Sequence, residues 1–147
     1  MGRVRLPAGD HLTRAREHEH VGDALKDAVG NEWAAVCYFY SAYHLVRAAL
    51  VTDPIFDSMP RLKAKSSHLM PSDRYTDSHH GSRQPGMNFG VNELVNLLYP
   101  QILQSYEFLH QASIAVRYDT GLRFDLAQVR GRLDAVRAAS NVGLRAV

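Results

Sequence analysis

The stretch GNEWAAVCYFYSAYHLVRAAL, residues 30–50, constrains the fold more than any other part of the chain. Trp33, Val36, Cys37, Tyr40, Tyr43, His44, Leu45, Val46 and Leu50 spread around most of a helical circumference. A helix apolar on nearly all sides has to be central, covered by neighbouring helices or by a second copy. Gly30-Asn31 opens it and Asp53-Pro54 ends it, because proline cannot continue a helix and restricts the residue before it. The run is almost long enough to cross a bilayer, but Ser41, His44 and Arg47 lie inside it, which argues against a membrane span.

The rest of the chain reads as helices around that one. A first helix is expected from an N-cap at Asp10 to about Val29, after a flexible tail over residues 1–9. Helical periodicity returns at Val91 and runs to Tyr118, with a break expected at Pro100 and a stop at Gly121. A last basic helix lies within residues 122–147. In it Leu126, Val129, Leu133 and Val136 recur at core spacing, while Arg123, Arg130 and Arg137 form a stripe seven residues apart, more often a solvated face than a phosphate reader. Residues 53–90 are rich in Pro, Ser, Gly and charge. They read as a long loop, with a short basic helix in SMPRLKAKSSHLM and few apolar anchors. The expectation is a single all-α domain, a bundle of four to five helices with that loop between its second and third main helices.

Composition narrows the function classes. The formal net charge of the 147 residues is +2, too small to imply a polyanion partner by itself, although 14 of the 17 cations are Arg, which suits bidentate phosphate contacts. The single Cys37 excludes a disulfide framework and a cysteine zinc site, and fits a reducing compartment. No apolar segment follows MGRVRLPAG as a secretion signal would require, so a cytoplasmic protein is expected. Phosphate-loop, dinucleotide, zinc-protease and nucleophile-elbow motifs are absent.

The central string resembles the HEPN superfamily (higher eukaryote and prokaryote nucleotide-binding). Trp33, Ala34, Tyr40, Ala42, Tyr43, His44, Arg47, Ala48, Ala49 and Leu50 fall where that family's central helix has W-A, Y, A, Y/F-H, R-A and L-L residues. RAREHEHVGDAL in the first helix and SIAVRYDTG in a later one are similar to flanking family segments, so the likeness covers roughly residues 10–52 and 91–121. It implies a HEPN-like helical bundle. For function it implies an RNA-directed protein acting as a homodimer, in many members a metal-independent toxin or defence ribonuclease, with an antitoxin as a further partner. Other branches of the family are non-catalytic modules that bind a nucleotide, nucleic acid or protein.

The family's active site is R-x4-6-H ahead of the last core helix. A His moves a proton at the ribose 2′-OH or the leaving oxygen, and an Arg holds the charge of the transition state. RYTDSHH supplies Arg74 with His79 or His80 in that position. Chance alone gives about two such spacings in a chain of this composition. Here Tyr75 follows the Arg where the family has a small polar residue, and about ten residues separate the motif from the next helix. The competing chemistry is metal binding. Glu17/His20 and Glu107/His110 have Glu-x-x-His spacing, but the further glutamates of a di-iron bundle are missing, which leaves a three-histidine site from His20, His44 and His110 in the manner of DinB-like bundles. The HEPN-like reading expects no cofactor and no metal. The bland alternative has His11, His18 and His20 solvated, with His44 and His110 hydrogen-bonded inside the bundle.

Overall fold

The structure, a computed structural model, describes residues 5–28, 31–81, 89–119, 121 and 123–147. Among them it is all-α, with six helices and no strand: α1 (Ala8–Leu25), α2 (Ala34–Thr52), α3 (Met59–Lys65), α4 (Val91–Leu98), α5 (Leu103–Tyr118) and α6 (Leu126–Val142).

The central helix is central. Twelve of the nineteen residues of α2 are buried, from Ala34 to Leu50 and on every side. They are covered by α1 most extensively, then by α5 and α6. Of the two kinds of cover the sequence allows, neighbouring helices of the same chain supply the one seen over these residues. Residues 31–57 form the one described stretch apolar and long enough to span a bilayer, and 67% of its most apolar window is buried in the fold. α1 packs tightly on α2 at Gly22, where a Cβ would lie 2.6 Å from the Tyr38 ring. The Tyr38 hydroxyl donates to Asp23 Oδ1 at 2.6 Å across the same seam.

Helix ends follow local chemistry, with some shifts from expectation. α1 starts at Ala8, after Pro7, so Asp10 is not its cap. Asp10 lies instead in the first turn, where its charge suits the helix dipole. The flexible tail expected over residues 1–9 is therefore helical from residue 8, and Arg5 sits 4.3 Å over the Tyr75 ring. Residues 1–4 lie outside the described ones. α1 ends at Leu25, short of the expected Val29. Pro100 breaks the later helix as the sequence indicates: α4 stops at Leu98, a 3-10 turn covers Pro100–Ile102, and α5 starts at Leu103. Its end is set at Asp119 in left-handed conformation (φ 47°), two residues before Gly121. Asp125 caps α6 by accepting from the Ala127 N–H at 3.0 Å.

The expected long loop needs the larger correction. From Pro54 to Tyr75 the chain forms a 3-10 turn (Pro54–Asp57), α3, and a second 3-10 turn (Pro71–Tyr75). Ile55, Phe56, Leu62 and Leu69 are at most 2% exposed, so four anchors hold this segment as a structural layer. Of the six apolar residues available only Met59 and Met70 stay outside. Residues 82–88 of the same stretch lie outside the described ones.

The Arg stripe of α6 is also not simply solvated. Arg137 Nε reaches Glu19 Oε1 at 3.0 Å, and Arg130 reaches Glu19 at 3.2 Å and Asp23 at 3.1 Å, so two of its three arginines cross to α1. Burial pushes the Asp23 carboxyl up, but hydrogen bonds from Tyr38 and Arg130 outweigh it and hold Asp23 below its usual range. Arg123 is exposed.

Candidate functional site

A continuous cluster of imidazole and phenol rings runs along one flank of α2. Phe39, Tyr40, Tyr43 and His44 occupy one side of that helix at i, i+1, i+4 and i+5, with Arg47 a turn further on. α1 adds His11 and His18, seven residues apart and hence on one face. The segment before α4 adds His79 and His80, and α5 adds His110. Tyr40, His18 and His79 are half-buried, His80 is exposed, and His44 and His110 lie beneath them at 6% and 5% exposure.

The cluster has two ends. At one, His11 Nδ1 and His44 Nδ1 are 3.1 Å apart, so one ring donates and the other accepts. His18 stacks on His44, with centroids 5.5 Å apart and planes 7° apart. Burial, with Arg47 and Arg14 nearby, lowers His11 from its ordinary 6.5 to about 4. Burial with His11, His18 and Arg47 lowers His44 to about 3. At the other end, the His79 ring packs against Tyr43 (5.0 Å), Phe39 (5.3 Å) and His110 (5.5 Å). His79 Nε2 lies 3.5 Å from the Tyr40 hydroxyl, and its Nδ1 is buried without a partner. His80 is 5.4 Å from the same His110 ring. His110 is itself stacked on Phe39 at 4.7 Å and bonded through Nδ1 to the Asn92 side-chain nitrogen at 2.9 Å. Burial lowers His79 below its ordinary value, assisted by Arg117 and His80. It lowers His110 to about 4, assisted by His79, His80 and Arg117. His11, His44, His79 and His110 are therefore neutral at pH 7.

The backbone carrying His79 and His80 is held by the start of α4. The Val91 N–H donates to the Ser78 carbonyl at 2.7 Å and the Asn92 N–H to the His79 carbonyl at 3.0 Å, satisfying two otherwise free donors of the helix. Glu93 Oε1 accepts from the Gly81 N–H at 2.8 Å. Gly90 permits this approach, since a Cβ there would sit 2.6 Å from Gly81 N and from His79 O, and tighter still on the His80 carbonyl carbon. The Tyr43 hydroxyl donates to the Asp77 carbonyl.

Of the three residues singled out by the motif, the structure brings two together. Arg74 goes elsewhere. From the Pro71–Tyr75 turn its Nη1 pairs with Asp57 Oδ1 at 2.9 Å and its Nη2 donates to the Asp53 carbonyl at 3.1 Å. The cation acting on His79 and His110 is Arg117 of α5. Sequence reasoning gave no site role to Arg117, Tyr40 or Asn92, although Tyr40 stood in the central string and Arg117 in SIAVRYDTG. For Arg117 and Asn92 the available signal was their occurrence on helices whose core stripes face α2; for Tyr40 it was its place on α2 itself, beside Phe39.

His11 is fully buried and His18 half-buried rather than solvated, because both lie on the α1 face that carries buried Ala15. His20 is exposed, while His44 and His110 are hydrogen-bonded inside the bundle. Among the described residues, no three His, Cys, Asp or Glu side chains gather as a metal-ligand set. Cys37 is half-buried, and burial raises its thiol pKa, which disfavours the reactive thiolate. An open hollow of about 730 Å³ shares no lining residue with the ring cluster; Glu32, Asp119 and Asp125 line it with Arg123 among mainly apolar residues.

No family model, curated protein or solved structure matches this chain.

Proposed function

We propose that this chain is a HEPN-like protein directed to RNA, and that the His79–His80 face is where RNA is held and cut without a metal ion. The observation that supports this reading is the convergence of His79 and His80 on His110, beside Arg117 and the half-buried Tyr40 ring. Single-stranded bases stack on such rings, and arginines on the same face take the phosphates. His79, neutral at pH 7, accepts the proton of a ribose 2′-OH. The freed oxygen bonds to phosphorus, the bond from phosphorus to the 5′-oxygen breaks, and His80 gives that oxygen a proton. Arg117 is the cation available to the transition state, since Arg74 is engaged by Asp57 and Asp53.

The test is cleavage of an unstructured RNA in EDTA. Products ending in 2′,3′-cyclic phosphate are expected, with His79→Ala lowering the rate by about 10²–10⁴. Light scattering at micromolar concentration reads the associated homodimer as about twice 16.5 kDa. A second reading, a non-catalytic module that binds a nucleotide, nucleic acid or protein, is favoured by the engagement of Arg74 away from the histidines. RNA bound in a His79-dependent way but never cut selects it. Absence of both binding and cleavage overturns the RNA-directed reading altogether.

A further inference from the structure

The geometry points to Asn92 and His110 as positioning residues for the surface imidazoles: Asn92 fixes the tautomer of His110, and His110 in turn orients His79 and His80. This deepens the reading of the His79–His80 face as the site and rests on it.

Asn92 touches both histidines of the pair. Its backbone N–H holds the His79 carbonyl at 3.0 Å, while its side-chain nitrogen lies 2.9 Å from His110 Nδ1. An amide nitrogen only donates, so His110 Nδ1 is the acceptor, and the neutral ring carries its proton on Nε2. A partner that fixes which nitrogen is protonated also fixes the ring's orientation, as the residues behind metal-ligating histidines do. His110 then lies between Phe39, stacked at 4.7 Å, and the two outer rings at 5.5 and 5.4 Å. Its orientation limits theirs. The absence of a Cβ at Gly90 lets the 79–81 backbone stay against α4, so the arrangement is set from two directions.

The groups against this pair are Tyr40 and Tyr43 from α2, His80 from the preceding segment and Arg117 from α5; behind them the Asp77 carbonyl takes the Tyr43 hydroxyl, Glu93 holds the Gly81 N–H, and Tyr106 lies beside Tyr40 and Tyr43. Arg117 is the charged group acting on both rings, and it acts in the same sense on each.

The experiment is imidazole nitrogen spectroscopy of the full chain, with RNA affinity and cleavage measured on the same samples. At pH 7 the unsubstituted protein is expected to show His110 protonated at Nε2 and bare at Nδ1. Asn92→Asp replaces the donor by a carboxylate, which should invert the His110 tautomer and raise its titration midpoint by about one unit or more. The added negative charge should also raise the midpoint of His79, and with it the acid limb of any cleavage profile. Gly90→Ala should perturb His79 and His80 while leaving the His110 tautomer in place. The proposal is overturned by an Nδ1-protonated His110 in the unsubstituted chain, a result that depends on no variant folding. It is also overturned by a folded Asn92→Asp protein whose His79 midpoint does not move. A tautomer as expected in a protein that neither binds nor cuts RNA supports the coupling and removes the functional reading, so the two fail separately.

Discussion

The two carboxylate oxygens of Asp53 take three hydrogen bonds, from the Ile55 N–H at 3.0 Å, the Tyr99 hydroxyl at 2.7 Å and the Ala146 N–H at 2.8 Å. Its carbonyl takes two more, from Arg74 at 3.1 Å and from the Phe56 N–H at 3.3 Å. One side chain, 2% exposed, thus joins the end of α2, the turn after it, the break between α4 and α5, and the tail after α6. In the sequence the residue announces only a helix stop before Pro54. Its distant partners carry no local signal, which is why Arg74 could be read as catalytic. Asp53→Ala should lower the unfolding free energy by about 3 kcal/mol or more, because it strands a buried hydroxyl and a buried N–H. The urea midpoint reads that loss, and Asp53→Asn should recover part of it. Arg74→Ala should cost about 1–2 kcal/mol through the lost bonds to Asp53 and Asp57. Cleavage reduced by 10²–10³ at undiminished stability would instead return Arg74 to the reaction.

Among the elements, those legible in the sequence are the ones whose boundaries are made by local chemistry. Pro54 and Pro100 end or break helices wherever they stand, and Val91, Leu94, Val95 and Leu98 mark a buried face by spacing alone. The 53–75 segment is not legible because Ile55, Phe56, Leu62 and Leu69 follow no single period: the first two share one 3-10 turn, Leu62 lies in α3 and Leu69 between α3 and the next turn. The α6 stripe was misread because a row of arginines looks the same whether it faces water or acids. Its complement, Glu19 and Asp23 one turn apart on α1, is visible only once the two helices are paired. For the site, the short motif led to His79 and His80, while His110, thirty residues further on, needed the fold to bring it there. Two measurements belong at this scale. Amides in α3 and its flanking turns should be protected from hydrogen exchange, and Leu62→Ala should cost about 2–5 kcal/mol. Arg130→Met keeps the packing over Tyr38 but removes the links to Glu19 and Asp23, so it should cost about 1 kcal/mol, less in high salt.

For the molecule as a whole, the buried imidazoles set the response to acid. His11, His44 and His110 are at most 6% exposed and have folded pKa values of about 4, 3 and 4, with His18 and His79 lowered in the same direction. Each is depressed relative to an ordinary 6.5 in the unfolded chain. Above pH 6.5 both states leave these rings neutral, and their contribution to stability is fully present. As the pH falls from 6.5 toward 4 the unfolded chain takes up protons that the folded chain refuses, so stability is lost across that window. Each such ring can add up to about 1.4 kcal/mol per pH unit to the slope. Three together approach the whole stability of an ordinary domain, about 5–15 kcal/mol, within two units. The urea midpoint measured from pH 7.5 to 4.5 at constant ionic strength should therefore stay level to about pH 6.5 and then fall steeply. His11→Gln, which removes one titrating ring from the His11–His44 pair, should flatten the fall even if it lowers the plateau. A midpoint level down to pH 5 would mean that these histidines are hydrated in solution, and the ring cluster as described would not stand.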